Sequence, residues 1–116
     1  MSMATATVYP AYFSTREEAI LEICKHGWWP MAWMDKPAAS YQAHFHVGDE
    51  SLYMIDGVLE FTDQAAGITH VLRSGDKLLL PARVVHSVRS KTGATYILGL
   101  SVLSPFDEHF IPVERA

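Results

Sequence analysis

The chain has 116 residues, of which 49% are hydrophobic and 19% are charged, and its formal net charge is −4 at pH 7. This length fits one domain, and the composition can fill a hydrophobic core and still leave a polar surface. The acidic balance and the lack of any concentrated basic segment argue against a nucleic-acid partner, and no apolar run approaches the roughly 20 residues that cross a bilayer.

The N-terminal segment and the cysteine content both indicate a cytoplasmic protein. Residues 1–10 have neither the basic start nor the long apolar stretch of a secretory signal peptide. Cys24 is the only cysteine, so an intramolecular disulfide is impossible and a reducing compartment is expected.

The N-terminal quarter predicts one short strand and one helix. Residues 4–9 alternate small and β-branched side chains and are typical of an edge strand. Ser14 and Glu17 have the spacing of a capping box, apolar residues then recur at helical spacing, and Gly27 supplies a stop. We therefore predict a helix over about 14–26.

After Gly27 the pattern changes to short, β-rich runs separated by turn residues. Asp56 and Gly57 fall between two of these runs and predict a two-residue hairpin, because both residue types tolerate positive φ. Many short strands at regular intervals predict an all-β sandwich or barrel over about 28–104. The predicted strands are 28–34, 40–46, 50–56, 58–63, 68–72, 77–80, 84–89 and 94–103.

One of these strands carries a candidate metal site. His44 and His46 are two residues apart, so on a strand they point to the same face with their Cα atoms about 6.6 Å apart. Two such imidazoles can share one metal ion, and Glu50 returns to the same parity after a short turn. His86 begins a later predicted strand. An H-x-H pair alone is more often a surface accident than a ligand pair, but the carboxylate and the third histidine strengthen the metal interpretation.

The spacing of these residues resembles the first conserved motif of the cupin family, G-x5-H-x-H-x3,4-E-x6-G. The chain supplies His44, His46, Glu50 and Gly57 at matching positions, with Ala38 in place of the leading glycine.

A second stretch resembles the other cupin motif, G-x5-P-x-G-x2-H-x3-N. Gly75, Pro81 and His86 match, while Arg83 replaces the middle glycine and Ser90 replaces the asparagine. These departures fall on turns and on neighbours of the site rather than on its ligands.

The resemblance covers roughly residues 39–103 and implies a jelly-roll-like β-barrel, here with one short N-terminal helix, in a single domain over 1–116. It also implies one divalent transition metal inside the barrel, of the kind that three imidazoles and a carboxylate suit: Fe, Mn, Ni or Zn. By this resemblance the ligands are His44, His46, Glu50 and His86.

Strand parity selects the side chains that should lie beside the ligands. Gln42, Met54 and Ser90 are the resulting substrate candidates, and Gln42 and Ser90 are equally compatible with bonding only to backbone or water. Arg83, near a barrel end, could clamp a substrate carboxylate, although such an arginine is more often a solvated rim charge. Ser40, Leu52 and Val88 share the same predicted faces.

Trp28, Trp29 and Trp33 form a dense aromatic group before the barrel. They could seal the helix against the sheet or form a homodimer interface, where aromatic residues are enriched. We favour the homodimer, because an exposed N-terminal edge strand invites pairing.

The fold leaves several functions open, because one barrel can host many chemistries. A metal held by three histidines and one glutamate resembles the cupin dioxygenases, in which an oxygen-rich organic substrate chelates the metal. The same site could act as a Lewis acid in a sugar isomerase or epimerase. A metal-dependent binding module without turnover is the third possibility, and a purely structural barrel is the least favoured.

Overall fold

The structure, a computed structural model, describes residues 4–103 and 111–112. It confirms the predicted all-β class with one short helix near the N-terminus, and the described residues form one helix and nine strands. The one helix among these residues is not long and apolar enough to cross a membrane. The elements are β1 (Thr7–Tyr9), α1 (Arg16–Lys25), β2 (Trp29–Asp35), β3 (Ala39–Phe45), β4 (Glu50–Asp63), β5 (Ile68–Arg73), β6 (Lys77–Leu80), β7 (His86–Ser90), β8 (Ala94–Leu100) and β9 (Ile111–Pro112).

The strands form two antiparallel layers that share β4. The first layer has the order β1-β6-β4-β8-β2, and the second has the order β5-β4-β7-β3-β9. Strand β4 pairs with β6 and β8 through its first half and with β5 and β7 from Val58 onward. The arrangement is jelly-roll-like, and the space between the layers holds the main core.

The hairpin predicted at Asp56-Gly57 is wrong, because β4 continues through these residues without reversing direction. A register shift lies between Met54 and Asp56 in the pairing with β8, and Gly57 adopts a φ of 83°. A Cβ at this position would lie 2.2 Å from the carbonyl oxygen of Gly93. The glycine therefore serves a bend and a close approach of two backbones rather than a reversal of the chain.

The helix begins one residue later than the predicted capping box. Thr15 is the N-cap, and its Oγ1 accepts a hydrogen bond of 3.2 Å from the backbone N–H of Glu18. Two pairs in the sequence have capping-box spacing, Ser14 with Glu17 and Thr15 with Glu18. The structure forms hydrogen bonds between the second pair. At the other end, Gly27 has a φ of 75°, and Trp28 N–H donates to the carbonyl of Ile23 at 3.1 Å in a Schellman-type stop.

The predicted tryptophan group divides between three environments. Trp28 is half-buried and packs with the helix residues Ala19 and Ile23 against the outer face of the first layer. Trp33 is half-buried beside the main core. Trp29 is 55% exposed on β2, at an edge of the first layer. Sealing of the helix thus applies to Trp28, and the homodimer stays a prediction.

The contact at Gly57 predicts an unequal cost for two alanine substitutions. Gly57 and Gly67 both have positive φ, but only at Gly57 would a Cβ meet backbone, since nothing lies within 4 Å of a Cβ at Gly67. We expect Gly57→Ala to lower the free energy of unfolding by about 3 kcal/mol or more and Gly67→Ala by about 1 kcal/mol. Urea denaturation of both variants measures the difference, and equal losses would contradict the role given to the Gly57–Gly93 approach.

Candidate metal centre

Three buried histidines converge between the two layers. His44 on β3 lies directly opposite His86 on β7 in the antiparallel register, and His46 follows the end of β3. The ring centroids are 4.3 Å apart for His44 and His86, 5.1 Å for His44 and His46, and 5.0 Å for His46 and His86. One ring nitrogen from each lies within 4.8 Å of the other two. This spacing allows all three imidazoles to bind one ion with small adjustments.

Backbone carbonyls fix the tautomer of two of these imidazoles. Nδ1 of His44 lies 2.7 Å from the carbonyl oxygen of Gln42, and Nδ1 of His86 lies 2.8 Å from that of Val84. A carbonyl can only accept, so each Nδ1 carries the proton and each Nε2 presents a lone pair. Burial lowers the pKa of His44 despite the Gln42 carbonyl. Burial thus favours the neutral form of His44, and in both rings the carbonyl contact leaves Nε2 as the nitrogen that can bind a cation.

A carboxylate completes the candidate ligand set. Glu50, the first residue of β4, is 5% exposed and lines the same cavity as the histidines. Its Oε2 lies 3.5 Å from Nδ1 of His46. The ligand atoms that lie within 4.8 Å of one another belong to the three histidines, and Glu50 is not in that group. Burial raises the pKa of Glu50 to about 8. A divalent cation beside Glu50 would offset the free-energy cost of burying its charged carboxylate. Three imidazoles and one carboxylate are donors that fit a metal such as Fe, Mn, Ni or Zn.

The cavity around these side chains is small and mostly apolar. Its volume is about 40 Å³, which is room for on the order of three water-sized molecules. Phe61 stacks on the His86 ring with a centroid distance of 4.7 Å and an interplanar angle of 12°. Apolar walls of this kind lower the local dielectric constant and so strengthen electrostatic interactions inside the cavity. The apolar lining residues are Leu52, Phe61, Leu78, Leu80, Val88 and Leu98.

Gln42 does not share the face of His44, which corrects the parity argument. The pairing of β3 with β7 shifts register between Tyr41 and His44, and this irregularity moves Gln42 to the exposed outer surface. Tyr41 lines the cavity instead. The side chain of Gln42 is thus away from the cavity, while its backbone carbonyl holds His44.

The other three substrate candidates are not among the residues that line the cavity. Met54 is fully buried in the main core. The hydroxyl of Ser90 donates to the carbonyl of Val58 at 2.8 Å. Arg83 is exposed, and its backbone N–H donates to the carbonyl of His46 at 2.9 Å. A substrate contact by the Arg83 guanidinium stays a prediction.

A polar network around Asp35 was missed by the sequence analysis. Strand parity could have placed Asp35 on the same face of β2 as Trp33, but not beside Tyr41 or Tyr96. Asp35 is 4% exposed, and its Oδ1 accepts hydrogen bonds from Tyr41 Oη at 2.6 Å and from Trp33 Nε1 at 2.9 Å. Its Oδ2 accepts one from Tyr96 Oη at 2.7 Å. Burial, together with Asp35, raises the pKa of Tyr41 and of Tyr96. All three donors line the metal cavity, so Asp35 anchors one of its walls.

The two residues that replace family glycines keep the glycine backbone conformation. Ala38 has a φ of 68° and Arg83 a φ of 67°. Both lie in the left-handed region, which costs an L-residue roughly 1 kcal/mol or more. The turns that hold the two motifs are therefore preserved despite the substitutions.

The raised pKa of Glu50 predicts how the metal-free protein responds to pH. A carboxyl with a folded pKa above its unfolded value stabilises the fold at low pH, and this contribution is lost as pH rises from 4.5 through about 8. Between about pH 5 and 9, chelator-treated wild type should lose up to on the order of 4 kcal/mol of unfolding free energy relative to Glu50→Gln.

Denaturant titrations across this pH range measure the difference. The exposed Glu17 on α1 provides the matched control, because Glu17→Gln should follow the wild-type profile. Parallel profiles for wild type and Glu50→Gln would show that Glu50 does not carry this cost.

The comparisons with known proteins agree with this geometry. The sequence profile of the cupin domain matches residues 32–102. No curated protein matches the sequence at a significant level. Three solved structures with the same fold are a DUF861 family protein from Thermotoga maritima (16% identity, TM-score 0.60, 82% of this chain and 98% of that one), a polyketide cyclase from Streptomyces resistomycificus (16%, 0.62, 74% and 60%) and a cupin-2 domain protein from Shewanella frigidimarina (17%, 0.54, 61% and 67%).

These identities establish the fold alone, and the chain spans about 60% of the cyclase. The profile match covers more than half of the sequence and includes all four candidate ligands. The chain therefore belongs to the cupin family.

Proposed function

We propose that the protein binds one divalent transition metal through His44, His46, His86 and Glu50 and uses it to act on a small oxygen-rich organic molecule. The observation that carries the proposal is the convergence of three buried imidazoles, two with carbonyl-fixed tautomers, beside a buried carboxyl in one cavity. Four protein ligands leave coordination positions for further molecules.

Dioxygenase-like chemistry is the reaction class that the cavity supports best. A bound metal would supply Lewis acidity and positions at which dioxygen and a chelating substrate can meet. The chain's own residues would hold the metal, exclude water and position the substrate. Apart from the ligand set, the described lining contains no histidine, lysine, cysteine or carboxylate. A reaction that needs no protein base therefore suits this lining better than one that needs proton transfer.

Lewis-acid isomerisation is the second candidate, and the Asp35 network favours it. Isomerisation moves a proton within the substrate, so it needs a side chain that can exchange one. Tyr41 and Tyr96 line the cavity, and both hydroxyls donate to Asp35. These two hydroxyls are the groups that would carry such a proton.

The size and charge of the cavity favour a compact substrate. A volume of about 40 Å³ suits a short diketone or enol better than a flavonol or a sugar ring. Among the described lining residues there is no lysine or arginine, so a substrate with several negative charges would have no side-chain counterion. We therefore propose a small, neutral or singly charged chelator as the ligand, whether or not it is turned over.

The metal proposal predicts that one histidine decides the metal content. Protein purified without chelators or a histidine tag should contain about one divalent metal ion per chain, and His46→Ala should lose it, because removal of one imidazole breaks the convergent set. Elemental analysis measures both. The matched control is His70→Ala, which removes a half-exposed histidine on β5. Full metal content in His46→Ala would rule out this ligand set.

The reaction proposal predicts a dependence on the metal and on dioxygen. With a short 1,3-diketone, the iron form should consume oxygen at an electrode and the zinc form should not. If the reaction is isomerisation, several divalent metals should support turnover without oxygen, and Tyr41→Phe should lower kcat by about tenfold or more. Saturable binding without turnover in every metal form would identify a binding module instead.

A further inference from the structure

A second cavity, the outer groove, lies behind the metal centre on the opposite face of the first layer. It encloses about 580 Å³ between α1, the segment 9–12 and the strands β4 and β6. Alternate residues of β4 serve the two cavities, because Glu50 faces the metal site while Tyr53 faces the groove. The groove is lined chiefly by Tyr9, Tyr12, Glu22, Trp28, Tyr53 and Lys77.

An ion pair between buried Lys77 and half-buried Glu22 forms the floor of the outer groove. Lys77 is 8% exposed, and its Nζ donates to Oε1 of Glu22. Tyr53 Oη donates to the same oxygen at 2.8 Å, and Tyr12 Oη donates to Oε2 at 2.8 Å. The Lys77 ammonium also lies 4.5 Å from the Tyr12 ring centroid and 5.2 Å from that of Tyr53. The charges of Lys77 and Glu22 cancel, so the floor offers an N–H donor beside a carboxylate acceptor without net charge.

Lys77 cannot act as a nucleophile in this setting. Burial alone would lower its pKa, but the hydrogen bonds to Glu22 and Tyr53 outweigh burial and raise the pKa above its usual value. The amine therefore stays protonated, and a protonated amine has no lone pair to attack a carbonyl. The outer groove has the features of a binding site rather than of a covalent active site.

The rim of the outer groove is aromatic and fixed in place. Tyr9 is 40% exposed and Tyr12 is 43% exposed, which leaves ring surface open to a ligand. Tyr12 N–H donates to the carbonyl of Gly75 at 2.8 Å, and Ala11 N–H donates to Asp76 Oδ1 at 3.0 Å. These bonds hold the segment against the barrel, so the wall is formed before a ligand arrives.

The ion pair is a poor device for merely attaching the helix. Apolar contacts of Ala19 and Ile23 with Tyr53 and Ile97 already pack α1 on the sheet. A buried pair of charges contributes little more to stability than apolar residues of the same volume, and often less. The donor and acceptor at the groove floor therefore have a better explanation as ligand contacts.

We propose that the outer groove binds a neutral, planar aromatic molecule whose ring lies against Tyr12 and Trp28 and whose polar edge, an acceptor next to a donor, meets Lys77 and Glu22. The other charged groups, Asp49 and His26, are exposed at the rim. At the floor an anion would approach the Glu22 carboxylate and a cation would approach the Lys77 ammonium, so charge on the ligand gains nothing there. Asp49 lies at the exposed rim, where solvent and salt screen its charge. This site is independent of the metal.

Three isosteric probes test the proposal on the full chain. Benzamide has an acceptor beside a donor, benzoate has acceptors and a negative charge, and benzamidinium has donors and a positive charge. In ¹H–¹⁵N spectra, benzamide should cause saturable shifts at Tyr53 and Lys77, which line the outer groove and not the metal cavity, with a Kd at least fivefold below that of either charged probe. Equal or tighter binding of benzoate or benzamidinium, shifts confined to the metal cavity, or no saturable shift would overturn the proposal.

Matched variants separate the outer groove from the metal site. Tyr12→Ala should weaken benzamide at least fivefold, as should the double variant Glu22→Leu with Lys77→Met, which removes both the donor and the acceptor and leaves no unpaired charge. Where Tyr12→Ala fails to fold, Tyr12→Leu keeps an apolar contact without the ring and carries the same expectation. His46→Ala should lose metal and still bind benzamide. Unchanged benzamide binding in the folded groove variants, or shielding of these amides by a second copy as protein concentration rises, would contradict the proposal.

Discussion

The backbone of strand β4 passes from one layer to the other, and this passage depends on how closely Gly57 approaches Gly93. A side chain at Gly57 would collide with the Gly93 carbonyl, so the bend requires a residue without a side chain at position 57. Through this bend, one strand pairs with four neighbours in two layers. The cavity between the layers, and with it the candidate metal centre, takes its shape from that shared strand.

The four candidate ligands come from both layers. His44 and His86 face each other in the second layer, whereas Glu50 opens β4 in the first layer. A cation bound among them would link the layers as well as neutralise a buried carboxyl. The two imidazoles with fixed tautomers owe their orientation to carbonyls two residues earlier in the chain. The same local arrangement thus occurs once in each histidine motif.

The sequence predicted those parts of the structure that depend on spacing within a strand. Motif spacing and strand parity predicted that four side chains would lie around one cavity, and the structure places them there: His44, His46, Glu50 and His86. Parity failed at Gln42, since the bulge that displaces its side chain leaves no mark in residue types. The overlapping Ser-Thr and Glu-Glu pairs likewise left the helix start ambiguous by one residue.

Asp56-Gly57 misled the prediction for a related reason. A glycine with positive φ occurs both in hairpins and in bends within a strand. Here the close approach of Gly57 to Gly93, which is a tertiary contact, identifies the bend. Asp35 was missed because its partner Tyr96 is remote in sequence and meets it only when β2 pairs with β8. Contacts of this kind depend on topology, which residue spacing does not encode.

The pairing pattern also determines when the site can form during folding. Strand β3 pairs with β7, and β4 pairs with β8, in each case across a long stretch of intervening chain. The entropy of closing such loops is lost before the contacts that repay it appear, and all-β topologies of this type fold on the millisecond-to-second scale. The histidines on β3 and β7 therefore meet late, and until then His44 and His46 remain a two-residue pair in a hydrated chain. A cation that binds this early pair also stabilises the unfolded ensemble. Its net effect on the free energy of unfolding is therefore the difference between its binding free energy to the four ligands of the folded chain and to the two ligands of the unfolded chain.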